Sequence, residues 1–122
     1  MIIHDNIKET MLNAINVTGA NGITKIAVFG YLNASSSYEY LDDVKTITWN
    51  TADNGAIEAT EDIVFNIPSG CQVEQVHIFY DDGTGVTAPQ TYTKAIEYAL
   101  PEALVYNNQG YYTVTNIKIT LS

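Results

Sequence analysis

Asp62-Ile63-Val64-Phe65-Asn66-Ile67-Pro68-Ser69-Gly70-Cys71-Gln72-Val73-Glu74-Gln75-Val76-His77-Ile78-Phe79-Tyr80 is the stretch that decides the fold. Ile63, Phe65 and Ile67 alternate with more exposable neighbours, the period-two pattern of a half-buried strand. Pro68-Ser69-Gly70 reads as a turn, because proline presets φ at a first corner. Val73–Tyr80 then reads as a second strand, so the segment is a strand–turn–strand unit.

The same texture extends in both directions. Upstream, Ile23–Tyr31 and Val44–Thr51 read as strands, the latter with Ile47 and Trp49 on one face. Asp53-Asn54-Gly55 is a hairpin turn, since Asn-Gly accepts the positive φ angles that a tight reversal needs. Ala56–Thr60 follows it. Downstream, 81–90 reads as a loop. The segment Tyr92–Leu104 fits both helix and strand and is interrupted by Pro101. A turn at Asn107-Asn108-Gln109-Gly110 leads to a last strand, Tyr111–Leu121. Its apolar parity flips between Tyr112/Val114 and Ile117/Ile119, which places a β-bulge at Thr115-Asn116. At the N-terminus, Ile7, Met11, Ala14 and Ile15 recur at helical spacing, and Asn6 with Glu9 fits a capping box. One amphipathic α-helix is expected over about residues 6–17.

These elements predict a single all-β domain over residues 1–122. It is an antiparallel β-sandwich or flattened barrel of six to eight short strands, with the helix over one end or open edge. With 122 residues, the chain is long enough to bury roughly two-thirds of its unfolded surface.

Charge narrows the partners. Fourteen acidic residues stand against five basic ones, a formal net charge of −9, and the five are all lysines. Nucleic-acid binding relies on basic residues that neutralise phosphates, so it is not expected. No apolar run reaches the roughly 18–20 residues of a membrane helix. The N-terminus lacks a basic region followed by a long apolar stretch, so no secretory signal is expected. A single cysteine, Cys71, cannot form an intrachain disulfide.

Candidate chemistry is sparse. His77 lies on a strand face that also carries Gln75 and Phe79, and it reads as a satisfied histidine rather than a metal ligand. Cys71, just after a turn, reads as a small apolar filler. Asp81 and Asp82 open a glycine-bearing loop and are the candidate cation ligands, against a plain solvated turn. No nucleophile elbow or phosphate loop occurs. The expectation is therefore no enzyme and no cofactor. Nine tyrosines against three phenylalanines and one tryptophan fit either edge and rim packing of a small sandwich or a contact surface for another protein subunit. Tyr38 and Tyr40 flank the Ser35-Ser36-Ser37 tract in an expected loop, and Tyr106, Tyr111 and Tyr112 surround the last turn. With Ile7 and Met11 of the helix, these are the candidate interface residues.

Met11-Leu12-Asn13-Ala14, Trp49, Asn54-Gly55, Phe65, Pro68-Ser69-Gly70 and Gly110-Tyr111-Tyr112-Thr113-Val114-Thr115 occur in an order that resembles a family of small tailed-phage virion proteins, described as tail-fibre-like or decoration-like. Ser69, Cys71 and Tyr80 depart from that family's pattern. The resemblance implies a non-enzymatic virion structural protein, above all a capsid decoration or auxiliary head protein. It would be bound to capsid or tail subunits and present as a homo-oligomer or at high copy number. A tail, baseplate or fibre component touching the host surface is the alternative. A carbohydrate-binding module, with Trp49 and tyrosines as a stacking platform, is the second. Location in the virion is the expectation; the resemblance carries over no catalytic residues.

Overall fold

The computed structural model describes residues 13–16 and 22–120. Nine strands account for most of them: β1 (Ile23–Leu32), β2 (Ser37–Tyr40), β3 (Lys45–Thr46), β4 (Ala56–Glu58), β5 (Ile63–Ile67), β6 (Cys71–Tyr80), β7 (Lys94–Tyr106), β8 (Gly110–Val114) and β9 (Lys118–Thr120). Every pairing between them is antiparallel. The main sheet runs β2-β1-β6-β7, with β3 also on β1. The pairs β4–β9 and β5–β8 are two-stranded.

Local chemistry explains the reversals. Asn54 and Gly55 both have positive φ, at 51° and 75°, and close the hairpin before β4. The break between β8 and β9 carries Asn116 at φ 55°. Asparagine tolerates that region better than other non-glycine residues. The β-bulge expected at Thr115-Asn116 within one strand is instead a break: β8 pairs with β5 and β9 with β4, so the parity flips where the chain changes partner.

The larger of two core clusters joins the main sheet to the two small pairs, and a smaller one, Ala27, Phe79 and Tyr92, packs with Tyr40 and Val44. Ile26 and Val28 of β1 and Val73, Val76 and Ile78 of β6 meet Ile57, Ile63, Phe65, Ile67, Ile47 and Trp49. The alternation read from 63–67 holds: Ile63, Phe65 and Ile67 are buried, while Val64 and Asn66 are exposed. The Trp49 indole N–H donates to the Ile23 carbonyl at 2.9 Å, so its one polar atom has a backbone partner in the core. Asp42, between β2 and β3, accepts the Asn66 amide of β5 at 2.8 Å at the surface.

Several expectations are revised: nine strands are described where six to eight were expected, and the strand expected over Val44–Thr51 is only Lys45–Thr46 with an isolated bridge from Trp49 to Ala59. Among the described residues the only N-terminal element is a 3₁₀ turn, Ala14–Asn16, with Ile15 packed on the core. The rest of the helix expected over about 6–17, including Ile7 and Met11, lies outside the described residues. The Ser tract is not part of a long loop: the chain turns at 33–36 and Tyr38 and Tyr40 lie in β2, paired with Tyr31 and Phe29. Lastly, 94–106 is a strand despite Pro101. It sits at the sheet edge, where a missing N–H removes no ladder bond, and it bulges there.

Candidate functional site

The most chemically elaborate surface is the outer face of the main sheet. Antiparallel pairing puts directly opposed residues on one face. Phe29 and Tyr31 of β1 therefore stand beside Tyr40 and Tyr38 of β2, and His77 of β6 stands between Ala27 and Glu97 of β7.

The rings touch in sequence. Tyr38 lies nearly parallel to Phe29, with centroids 6.3 Å apart and planes at 18°. Phe29 lies nearly parallel to His77 at 5.0 Å and 20°. Tyr31 meets Tyr38 edge-on at 5.3 Å, and Tyr40 meets both Phe29 and His77 edge-on. Offset-stacked and edge-to-face contacts are the geometries that aromatic quadrupoles favour. Tyr38, last in this row on the edge strand β2, is 61 % exposed.

A hydrogen-bonded string holds the row. His77 is 2 % exposed. Its Nε2 lies 2.7 Å from Gln75 Oε1 and 3.2 Å from Glu97 Oε1, while its Nδ1 lies 2.9 Å from the Tyr40 hydroxyl. Both groups at Nε2 are acceptors, so Nε2 carries the proton and Nδ1 accepts from Tyr40. Glu97 is in turn paired with Lys94 at 3.0 Å. The string joins β2, β6 and β7 across the whole sheet.

Electrostatics follow from this enclosure. Burial pushes the His77 imidazole below its ordinary 6.5, and nearby Lys94 acts in the same direction, against an opposing pull from Glu97. Burial also raises the Tyr40 hydroxyl. An exposed histidine in the unfolded chain takes up a proton before the folded one does. The stabilisation from neutral His77 is therefore complete above pH 6.5 and is lost progressively as the pH falls from there towards the lowered folded value. Urea titrations between pH 7.5 and 5.5 are expected to show declining stability, with a smaller slope in His77→Gln; equal slopes in the two proteins would place the titration elsewhere.

The other candidates have structural jobs. Asp81 accepts the Gly83 amide at 2.8 Å, and Asp82 accepts both the amide and hydroxyl of Thr84, at 3.0 and 2.6 Å. The Thr84 hydroxyl bond holds the Asp82 carboxyl below its usual range. These are turn-capping geometries. Among the described residues, no group of three or more His, Cys, Asp or Glu side chains is placed to hold a metal ion. Cys71 is 1 % exposed in the core, and burial pushes its thiol up. Trp49 is a core residue, so it does not serve as a surface stacking platform.

The five described tyrosines expected at an interface fall into two groups. Tyr38 and Tyr40 belong to the aromatic row. Tyr106, half-buried, donates to the Tyr111 carbonyl at 2.8 Å, Tyr112 packs on the core, and Tyr111 is 70 % exposed on β8. Sequence reading missed Phe29, Tyr31 and Glu97. A signal for the first two was present in the alternation of Ala27, Phe29 and Tyr31 along β1. No known protein family, curated protein or solved structure matches the chain.

Proposed function

We propose that this chain is a non-enzymatic structural protein of a bacteriophage virion, specifically a capsid decoration or auxiliary head protein. On this reading its layers form an antiparallel sandwich, which docks on the shell through the outer face of the main sheet. The observation that carries the reading is the ordered aromatic row ending in exposed Tyr38. Tyrosine-rich, pre-positioned surfaces are where protein contacts concentrate their energy. Among the described residues, the two side chains best suited to nucleophilic or acid–base work, Cys71 and His77, are enclosed by the fold, which supports a binding role. The ordered resemblance to phage virion proteins supplies the setting. The acidic surface suits the shell exterior, on the side away from the genome.

Mass spectrometry of purified particles tests the reading: the chain is expected among the particle proteins, and its absence refutes the proposal. Immunogold label on heads supports a decoration role, whereas label on tail tips replaces it with a tail or fibre component. Within a confirmed particle, Tyr38→Ala is expected to weaken attachment at least tenfold, on the order of the loss of one interface hot spot. A saccharide ligand is a second reading, favoured by the exposed ring of Tyr38. It predicts glycan-array binding that Tyr38→Ala abolishes.

A further inference from the structure

The Tyr40 hydroxyl has a partner of a different kind from those of the other bonded tyrosines. It donates to His77 Nδ1 at 2.9 Å, and that nitrogen is a base. Tyr92 instead donates to the Val86 carbonyl at 2.6 Å, and Tyr106 to the Tyr111 carbonyl at 2.8 Å. Amide oxygens take up no proton near neutral pH. Among the described residues, Tyr40 is the one tyrosine whose hydroxyl meets a side-chain base.

The surroundings prepare both groups. Burial raises the Tyr40 hydroxyl above its ordinary 10, so the phenol keeps its proton at neutral pH. Phe29, His77 and Phe79 meet its ring edge-on, at 5.1, 5.4 and 5.7 Å, and shield it from phenol rings of other molecules. Across the imidazole, Nε2–H faces two acceptors, Gln75 Oε1 at 2.7 Å and Glu97 Oε1 at 3.2 Å. A second proton at Nδ1 would make an imidazolium, whose charge Glu97 favours and Lys94 opposes. These two come from β7. Strand β2 brings Tyr40, β6 brings Gln75 and Phe79, and β1 brings the uncharged Ala27 and Phe29.

We infer that Tyr40 and His77 form a redox-active pair, in which one-electron oxidation of Tyr40 sends its phenolic proton to His77 Nδ1. The reaction partner is a diffusing one-electron oxidant, a radical or a high-potential metal complex. It takes one electron from the phenol and leaves reduced by one. A phenol that has lost an electron is a strong acid, so its O–H bond breaks and an N–H bond forms at Nδ1. The products are a neutral tyrosyl radical and an imidazolium. The two atoms already stand at proton-transfer distance. The proton remains one hydrogen bond away, so return of an electron restores phenol and imidazole. The pair thus holds one oxidising equivalent reversibly. Tyr92 and Tyr106 lack an acceptor that would keep the proton, and the exposed Tyr38 and Tyr111 release theirs to water.

The inference is independent of the virion reading, because it is tested on the isolated full-length chain. The oxidant is ruthenium(III) tris-bipyridine, generated by a light flash in the presence of persulfate, and electron paramagnetic resonance of freeze-quenched samples reads the radical. A tyrosyl signal is expected that outlasts those of the exposed tyrosines and is absent from Tyr40→Phe. His77→Gln leaves an acceptor for the hydroxyl but no base, and is expected to slow formation of that signal at least about tenfold, the loss of a positioned proton acceptor. In the wild type the rate is expected to fall as the pH is lowered through the His77 titration, followed by NMR, because an imidazolium has no lone pair at Nδ1. Circular dichroism shows whether both variants keep the fold, and the wild-type pH profile needs no variant. A wild type without the persistent signal overturns the inference, as does a signal unchanged in Tyr40→Phe. So does a rate that stays level through the His77 titration or in folded His77→Gln.

Discussion

Gly30→Ala is expected to cost at least about 3 kcal/mol, a large part of the roughly 5–15 kcal/mol that holds a domain this size together. Gly30 lies in β1 opposite β6, at the point where the pairing steps from Phe29↔Gln75 to Gly30↔Val73 and leaves Glu74 as an extra residue on β6. This bulge presses the β6 backbone onto the glycine. A Cβ at position 30 would stand 1.8 Å from the Gln72 carbonyl oxygen and 2.9 Å from its carbon. Both are main-chain atoms of the neighbouring strand, so no side-chain rotation relieves the clash. The two strands must separate or slip, and a slip by one residue exchanges the faces of every side chain beyond it. Thermal denaturation is the direct measurement, with a drop of roughly 4 °C expected per kcal/mol. A melting point within a few degrees of wild type would show that β1 and β6 do not approach in this way.

The second large effect is expected at Phe65. Its ring is wholly buried, within the cluster that joins β5 to β1 and β6. Phe65→Ala removes that burial and leaves a cavity, a change that costs about 3–5 kcal/mol in comparable cores. The adjacent Val64 points the other way and is exposed, so Val64→Ala is expected to stay within about 0.5 kcal/mol of wild type. Urea unfolding of the two variants measures both effects against one baseline. Equal losses at 64 and 65 would mean that β5 does not present one face to the core.

Local chemistry made much of the fold readable in advance. Alternation in 63–67 translated directly into burial, because a strand's side chains project to opposite faces whatever its partner is. Asn54-Gly55 and the 115–116 parity flip were readable for a similar reason: positive φ and a broken period are properties of a few consecutive residues. The face of His77 was legible too, with Gln75 and Phe79 beside it. Its remaining partners were not. Tyr40 precedes it by 37 residues and Glu97 follows it on another strand, and no local pattern reports a pairing made across such distances.

The same limit accounts for the misread tyrosines. Ser35-Ser36-Ser37 resembles loop sequence, and taken locally it placed Tyr38 and Tyr40 in a loop. The cross-strand contacts with Phe29 and Tyr31 draw them into β2, and tertiary packing routinely overrides such weak local preference. Pro101 made 92–104 ambiguous for a related reason, since proline forbids a central strand but is harmless on an edge, and only the sheet order shows that β7 is an edge.

The sequence by itself thus determined the antiparallel β class, the turns, and which residues along each strand can face a core, because these follow from backbone stereochemistry and period-two geometry over short spans. The tertiary structure alone decided which strands became neighbours. That choice assembled the aromatic row across β2, β1 and β6, enclosed His77, and put β7 at the end of the main sheet's strand order, since each of these depends on contacts between residues far apart in the chain.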